Sequence, residues 1–264
     1  MSSILQVEGG HPLRGEITVR GAKNFVPKAM VASLLADTPS ELYNVPLIRD
    51  TDVVSDLLSL HGVQIDFDQD RGTLRMDPSN VKIASRSDID TLAGASRIPI
   101  LFCGPLLHQL GEAFIPELGG CAIGGRPIDF HLETLRKFGA IVDKQPDGVH
   151  IKRPSSGLHG AIIELPFPSV GATEQTLLTA VRNEGITTLK GAAIEPEILD
   201  LINVLQKMGA IISVDTDRTI RIEGVAKLNG YRHTALPDRI EAASWGAAAL
   251  ATHGDIYVRG AHQP

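Results

Sequence analysis

A closure made of a helical apolar stretch, a glycine and a further apolar residue occurs three times, and it constrains the architecture more than any single motif does. It reads Leu60-His61-Gly62-Val63, Phe138-Gly139-Ala140 and Met208-Gly209-Ala210, with intervals of 77 and 70 residues between the glycines. Each closure ends an amphipathic run. Val53, Val54, Leu57, Leu58 and Leu60 share one stripe, as do Leu132, Leu135 and Phe138, and Ile198, Leu201, Ile202, Leu205 and Met208. This spacing predicts helices with one apolar face. Starts are expected at Asp50 or Thr51, at Asp129 and at Pro196-Glu197, where first-turn acids complement the helix dipole. A glycine past the last turn supplies a left-handed cap. Units of this length bury their apolar faces only by stacking on one another.

Four other stretches, 25–36, 98–110, 174–183 and 240–252, are apolar or small nearly all round. Helices of that kind are interior ones. Alternating stretches such as Ile17-Thr18-Val19 and Ile220-Arg221-Ile222 read as half-exposed strands. The expectation is an α/β fold in which each unit runs strand, buried helix, strand, outer helix and further strands. Such units form an inside-out α/β barrel of repeated βαβαββ-type units, with helices inside and sheets around them. Residues 22–236 are expected to form a first domain of three units, with the polar segment 227–237 crossing to a second. A fourth copy opens at Asp238-Arg239-Ile240-Glu241 and reaches Asp255-Ile256-Tyr257-Val258, and the sequence ends at Pro264. Residues 1–21 and 237–264 are therefore expected to be an incomplete portion of a second domain, either a fragment or a unit lacking its packing partner.

The net charge of −6 and pI near 5.8 argue against nonspecific binding to nucleic acid or an anionic membrane and leave room for a local basic pocket. Two cysteines, Cys103 and Cys121, make no disulfide framework, and no His–carboxylate spacing matches a metal site. No cofactor is expected. The N-terminus has no signal-peptide pattern and no apolar run reaches eighteen residues, so a cytoplasmic setting is expected.

Chemistry concentrates in a few places. Cys121 lies between two glycine pairs in Gly119-Gly120-Cys121-Ala122-Ile123-Gly124-Gly125-Arg126-Pro127. Paired glycines allow positive φ and anion-binding nests, and the Arg126 guanidinium favours a thiolate. A surface turn with an incidental thiol fits equally well. Cys103, within Leu101-Phe102-Cys103-Gly104-Pro105, reads as an inert core residue. Lys23 and Asn24, in Gly21-Ala22-Lys23-Asn24, precede a buried helix. Arg97 and Arg239 recur at the matching point of later units, so an anion site would draw them together. Ser169-Val170-Gly171-Ala172-Thr173 opens another interior helix, where free N–H groups suit a diphosphate and a plain serine cap is the alternative. Glu195-Pro196-Glu197 reads as a helix start, Asp238-Arg239-Ile240-Glu241 as an internal salt bridge, and His131, next to the outer helix start, as a proton carrier or a capping residue. His253 and His262 read as loop residues.

In order and spacing these motifs together resemble the UDP-N-acetylglucosamine enolpyruvyl transferase family. The sister family acting on shikimate 3-phosphate lacks this cysteine loop and differs at the lysine. The resemblance implies an enolpyruvyl transferase fold of six units in two domains, of which three and part of a fourth are present here. It implies transfer of the enolpyruvyl group of phosphoenolpyruvate to the 3-hydroxyl of UDP-N-acetylglucosamine, the committing step of peptidoglycan synthesis. It assigns Cys121 to protonation and covalent chemistry, Lys23, Arg97 and Arg126 to substrate anions, and Asn24 to orientation. Ser169, Val170 and Gly171 become the uridine diphosphate turn, and Asp129 and His131 lie beside the loop. Phe167 departs from the lysine of many relatives. The family's aspartate base and a further arginine are expected beyond Pro264. The alternative is a noncatalytic module that binds a sugar nucleotide or serves a structural role.

Overall fold

The computed structural model describes residues 4–93, 96–116 and 128–261. Three units repeat one plan. The first opens with helix α1 (Val26–Ala32), extended by a 3₁₀ turn (Ser33–Leu35), and continues through strand Ser40–Tyr43, helix α2 (Arg49–Leu60) and the hairpin Gln64–Asp68 and Thr73–Asp77. A helix not expected from the sequence, α3 (Arg86–Ala93), follows. The second unit opens with a 3₁₀ segment (Ile98–Phe102) that runs into α4 (Cys103–Gln109), then strand Glu112–Ile115, helix α5 (Asp129–Lys137) and the hairpin Ile141–Gln145 and Gly148–Lys152. The third runs from strand Ile162–Glu164 through α6 (Val170–Ala180), strand Ile186–Lys190, α7 (Pro196–Met208) and the hairpin Ile211–Val214 and Ile220–Glu223.

In each unit the strand after the inner helix pairs antiparallel with the second hairpin strand, and the first hairpin strand lies on the outer edge. The inner helices carry the core: every residue of α1 is buried, and α6 is buried from Ala172 to Ala180. The packing is close. A Cβ on Gly104 of α4 would lie 2.2 Å from the Thr179 hydroxyl of α6, so only glycine lets these two helices meet. The three closing glycines hold φ of +86°, +92° and +108°, the left-handed caps that the repeat predicts. The helices start at or next to the expected residues, but α2 and α5 have Ile48 and Ile128 at their N-caps with no side-chain cap. Asp50 and Asp129 act in the first turn, as charges toward the dipole.

The segment 227–237, expected to be a polar crossover, takes part in the first sheet. Arg232–Thr234 forms a strand parallel to Ser40–Tyr43, completing the first sheet. Tyr231, His233 and Ala235 are buried at alternate positions, a period-2 pattern. Helix α8 (Arg239–Ala251) corrects the sequence reading: it is apolar, yet it buries no residue, and Leu250 is 82% exposed. Its neighbour is the strand Asp255–Arg259, which pairs in parallel with Arg14–Thr18 at the other end of the chain. No helix among the described residues is long and apolar enough to cross a membrane.

Candidate functional site

The candidate residues are held where interior helices begin. Lys23 and Asn24 form an exposed turn ahead of α1, in which the Phe25 and Val26 amides both donate to the Ala22 carbonyl at 3.0 Å. Gly21 sets this turn against the crossover: it bridges to Pro237, and a Cβ there would lie 2.0 Å from the Asn44 carbonyl oxygen. The Lys23 amide donates to Asp238 Oδ2 at 2.9 Å. Asp238 also caps α8, its Oδ1 accepting from the Ile240 and Glu241 amides at 2.8 and 3.2 Å. Arg239 makes a two-pronged ion pair with Glu197 at the start of α7, at 2.9 and 3.2 Å. The salt bridge expected inside the tetrapeptide therefore reaches across to α7 instead. Pro196 takes the first helical position there, as read from the sequence.

Beneath this surface lies a buried charged layer. Lys28 on α1 places Nζ 3.6 Å from Glu174 Oε1 on α6, with both side chains less than a tenth exposed. Burial raises the Glu174 carboxyl to about 7 against the pull of Lys28, and Glu195 and Glu197 push it the same way. Deeper in the crossover, Lys207 Nζ donates to His233 Nδ1 at 2.8 Å, which puts the ring proton on Nε2. That atom lies 3.0 Å from Asp200 Oδ1, in contact but without hydrogen-bond alignment. The sequence reading missed Lys28, Glu174, Asp200 and His233. The available signal was a charged residue inside an otherwise apolar helix, which Lys28 and Glu174 both are.

At the opening of α6, Ser169 is an N-cap: its hydroxyl accepts from the Ala172 amide at 3.3 Å, and its carbonyl accepts from the Thr173 amide and hydroxyl. Val170 is 37% exposed beside it. Gly171 lies against His131 of α5, and an added Cβ would stand 2.7 Å from Nε2. His131 is therefore a packing residue against this turn and not a helix cap. Burial first, then the Arg97 charge, brings its imidazole down to about 4. His131 Nδ1, Gln175 Oε1 and Glu195 Oε2 are buried without a hydrogen-bond partner. Buried polar atoms are nearly always paired, so these three mark polar ground near the α6 turn. Phe167 is 55% exposed and packs edge-on to Phe130 with ring centroids 5.3 Å apart, an aromatic pair at the position expected to carry a cation in relatives. Arg97 sits ahead of the 3₁₀ entry to the second unit, as its repeat position predicts. Cys103 is buried, with its thiol pushed up by desolvation, in keeping with an inert core residue. Cys121, Arg126 and His262 lie outside the described residues. No group of three or more metal-ligating side chains occurs among the described residues.

The chain is similar to known proteins along nearly its whole length. Residues 7–263 match the family model described as EPSP synthase (3-phosphoshikimate 1-carboxyvinyltransferase). The chain is 44% identical over 262 residues to the UDP-N-acetylglucosamine 1-carboxyvinyltransferase of Protochlamydia amoebophila, covering 98% of this chain and 56% of that protein. It is 45% identical over 258 residues to the protein of the same name from Acidiphilium cryptum, covering 97% and 60%. The chain thus spans rather more than half the length of the curated relatives it matches. Among solved structures it is similar to the enolpyruvyl transferase NikO from Streptomyces tendae, with TM-score 0.78 and 23% identity over 90% of this chain and 55% of that one. The EPSP synthase of Acinetobacter baumannii gives TM-score 0.69 at 19% identity, over 89% of this chain and 52% of that one. These likenesses support the inside-out α/β fold.

Proposed function

This chain belongs to the EPSP synthase family of enolpyruvyl transferases, and on that premise we propose that it is the sugar-nucleotide branch's first domain with part of its second. Its proposed reaction moves the enolpyruvyl group of phosphoenolpyruvate to the 3-hydroxyl of UDP-N-acetylglucosamine and releases phosphate, committing the sugar to peptidoglycan. The observation that carries this reading is 42–45% identity, across nearly the whole chain, to proteins named for that acceptor.

In the addition step the sugar hydroxyl gives up its proton to the base expected beyond Pro264, its oxygen bonds to C2 of phosphoenolpyruvate, and C3 gains a proton from an acid. Elimination then breaks the bond from C2 to the phosphate oxygen and returns the proton from C3. Cys121 is assigned to the proton at C3. Lys23, Arg97 and Arg126 are assigned to the phosphate and carboxylate charge, where fixed cations stabilise the ketal best in a poorly solvated site. Asn24 orients the acceptor. The α6 turn from Ser169 to Gly171 offers helix N-terminal amides to the diphosphate. Phe167 in place of a lysine leaves that turn to rely on its amides for anion binding. Reduced thiols and a nucleotide-sugar substrate fit a cytoplasmic setting.

The test is phosphate release from phosphoenolpyruvate with UDP-N-acetylglucosamine or shikimate 3-phosphate as acceptor. It is run on this chain and on a version extended by the two further repeats of its relatives. Release by the extended protein with the sugar nucleotide alone supports the assignment. The isolated chain is expected to be inactive, because loss of positioning forfeits effective molarities on the order of 10⁵–10⁸ M. Release with shikimate 3-phosphate, or with neither acceptor, overturns the assignment.

A further inference from the structure

The repeat makes one substitution conspicuous. The residue before each closing glycine is His61, Phe138 or Met208. Phe138 and Met208 are fully buried core residues, and His61 is buried too, at 6% exposure. A polar ring thus stands where the other two units place an apolar side chain. Helix α3 is the second departure, because the described connections at the same point of the second and third units contain no helix. Both departures face one cavity of about 450 Å³. Its floor is apolar, built from Ile89 of α3, Leu106 of α4 and Ile151 of the second sheet. Phe114 closes one side, with the Arg86 guanidinium 5.3 Å from its ring centroid.

The tautomer of His61 is fixed by one hydrogen bond. His61 Nδ1 lies 3.2 Å from the Lys82 carbonyl oxygen. A carbonyl can only accept, so Nδ1 carries the proton. Burial lowers the ring's pKa and so favours the neutral form. Nε2 therefore offers a lone pair to a cavity whose lining also carries Glu112, Asp143, Gln145, His150 and Lys152. None of Lys23, Asn24, Arg97 or Ser169 lines this space. Its size is that of small-molecule sites, and its lining combines an apolar surface with polar groups that can orient a ligand.

We propose that this cavity is a second small-molecule site, and that it takes a flat aromatic molecule with one N–H or O–H donor, of the indole or phenol class, donating to His61 Nε2. The apolar floor holds the ring, and Phe114 offers an aromatic edge. Arg86 stays at the rim, tied to Asp147 at 3.3 Å. This inference is independent of the proposed transferase activity.

The test measures binding of indole and of N-methylindole to the intact chain by ligand-observed NMR titration. The same titrations are run on His61→Phe, the residue found at position 138 of the repeat. Indole is expected to bind wild type, with N-methylindole at least tenfold weaker and His61→Phe at least tenfold weaker for indole. Equal binding of the two ligands to wild type would overturn the proposal even if the variant failed to fold. So would undiminished indole binding to a folded His61→Phe, or no indole binding to wild type at all.

Discussion

Replacing Glu174 with glutamine separates the two forces acting on the buried layer beneath the candidate site. The carboxyl is buried 3.6 Å from Lys28 Nζ, so ion-pair attraction favours its charge and desolvation opposes it. The balance leaves its pKa raised from the ordinary 4.5 to about 7. A carboxyl raised on folding contributes stability that is complete below its unfolded pKa and is lost as pH rises through the folded one. Here that window runs from 4.5 to about 7. At roughly 1.4 kcal/mol per unit, full ionisation withdraws about 3 kcal/mol. Glutamine keeps the shape and the hydrogen-bonding oxygen but cannot ionise. Glu174→Gln should therefore be within about 1 kcal/mol of wild type at pH 5 and about 3 kcal/mol more stable at pH 8.5. Urea unfolding at the two pH values reads this difference directly, because groups titrating elsewhere are common to both proteins. A variant less stable than wild type at pH 8.5 would refute the reasoning, since attraction to Lys28 would then exceed the desolvation cost.

Gly171→Ala places a Cβ 2.7 Å from His131 Nε2 and should cost about 1–3 kcal/mol in unfolding free energy. Combined with His131→Ala the cost should be clearly less than additive, and a strictly additive double mutant would show that the ring is not what excludes the side chain. Asp238→Ala removes the α8 cap and the acceptor for the Lys23 amide; about 1 kcal/mol or more of local stability should be lost. Hydrogen exchange should quicken both in the first turn of α8 and at Lys23, and a change confined to α8 would deny the link between them. Fosfomycin, an epoxide that alkylates the loop cysteine of the resembling family, should modify Cys121 and spare buried Cys103 in the extended protein, as peptide mass mapping would report. An adduct on Cys103 alone would reverse the thiol assignment.

The units themselves were legible in the sequence because helix periodicity and glycine closures are local signals. Residues 53–60, 132–138 and 198–208 carry their apolar stripes whatever surrounds them, and Gly62, Gly139 and Gly209 hold the positive φ those closures need. The positions of Lys23, Arg97 and Ser169 at unit entries followed from the same repeat. Tertiary structure decided the pairings between distant residues. Arg232–Thr234 joins Ser40–Tyr43, and Lys23 meets Asp238 across 215 positions of sequence. Lys28 finds Glu174 only because α1 and α6 share one interior, and His131 reaches Gly171 only because α5 lies on α6. Helix α8 shows the limit most plainly. Its composition marks it as an interior helix, yet its apolar side chains are exposed because burial depends on which surfaces meet. A sequence states how much apolar surface a helix offers; the packing of other elements determines whether that surface leaves water.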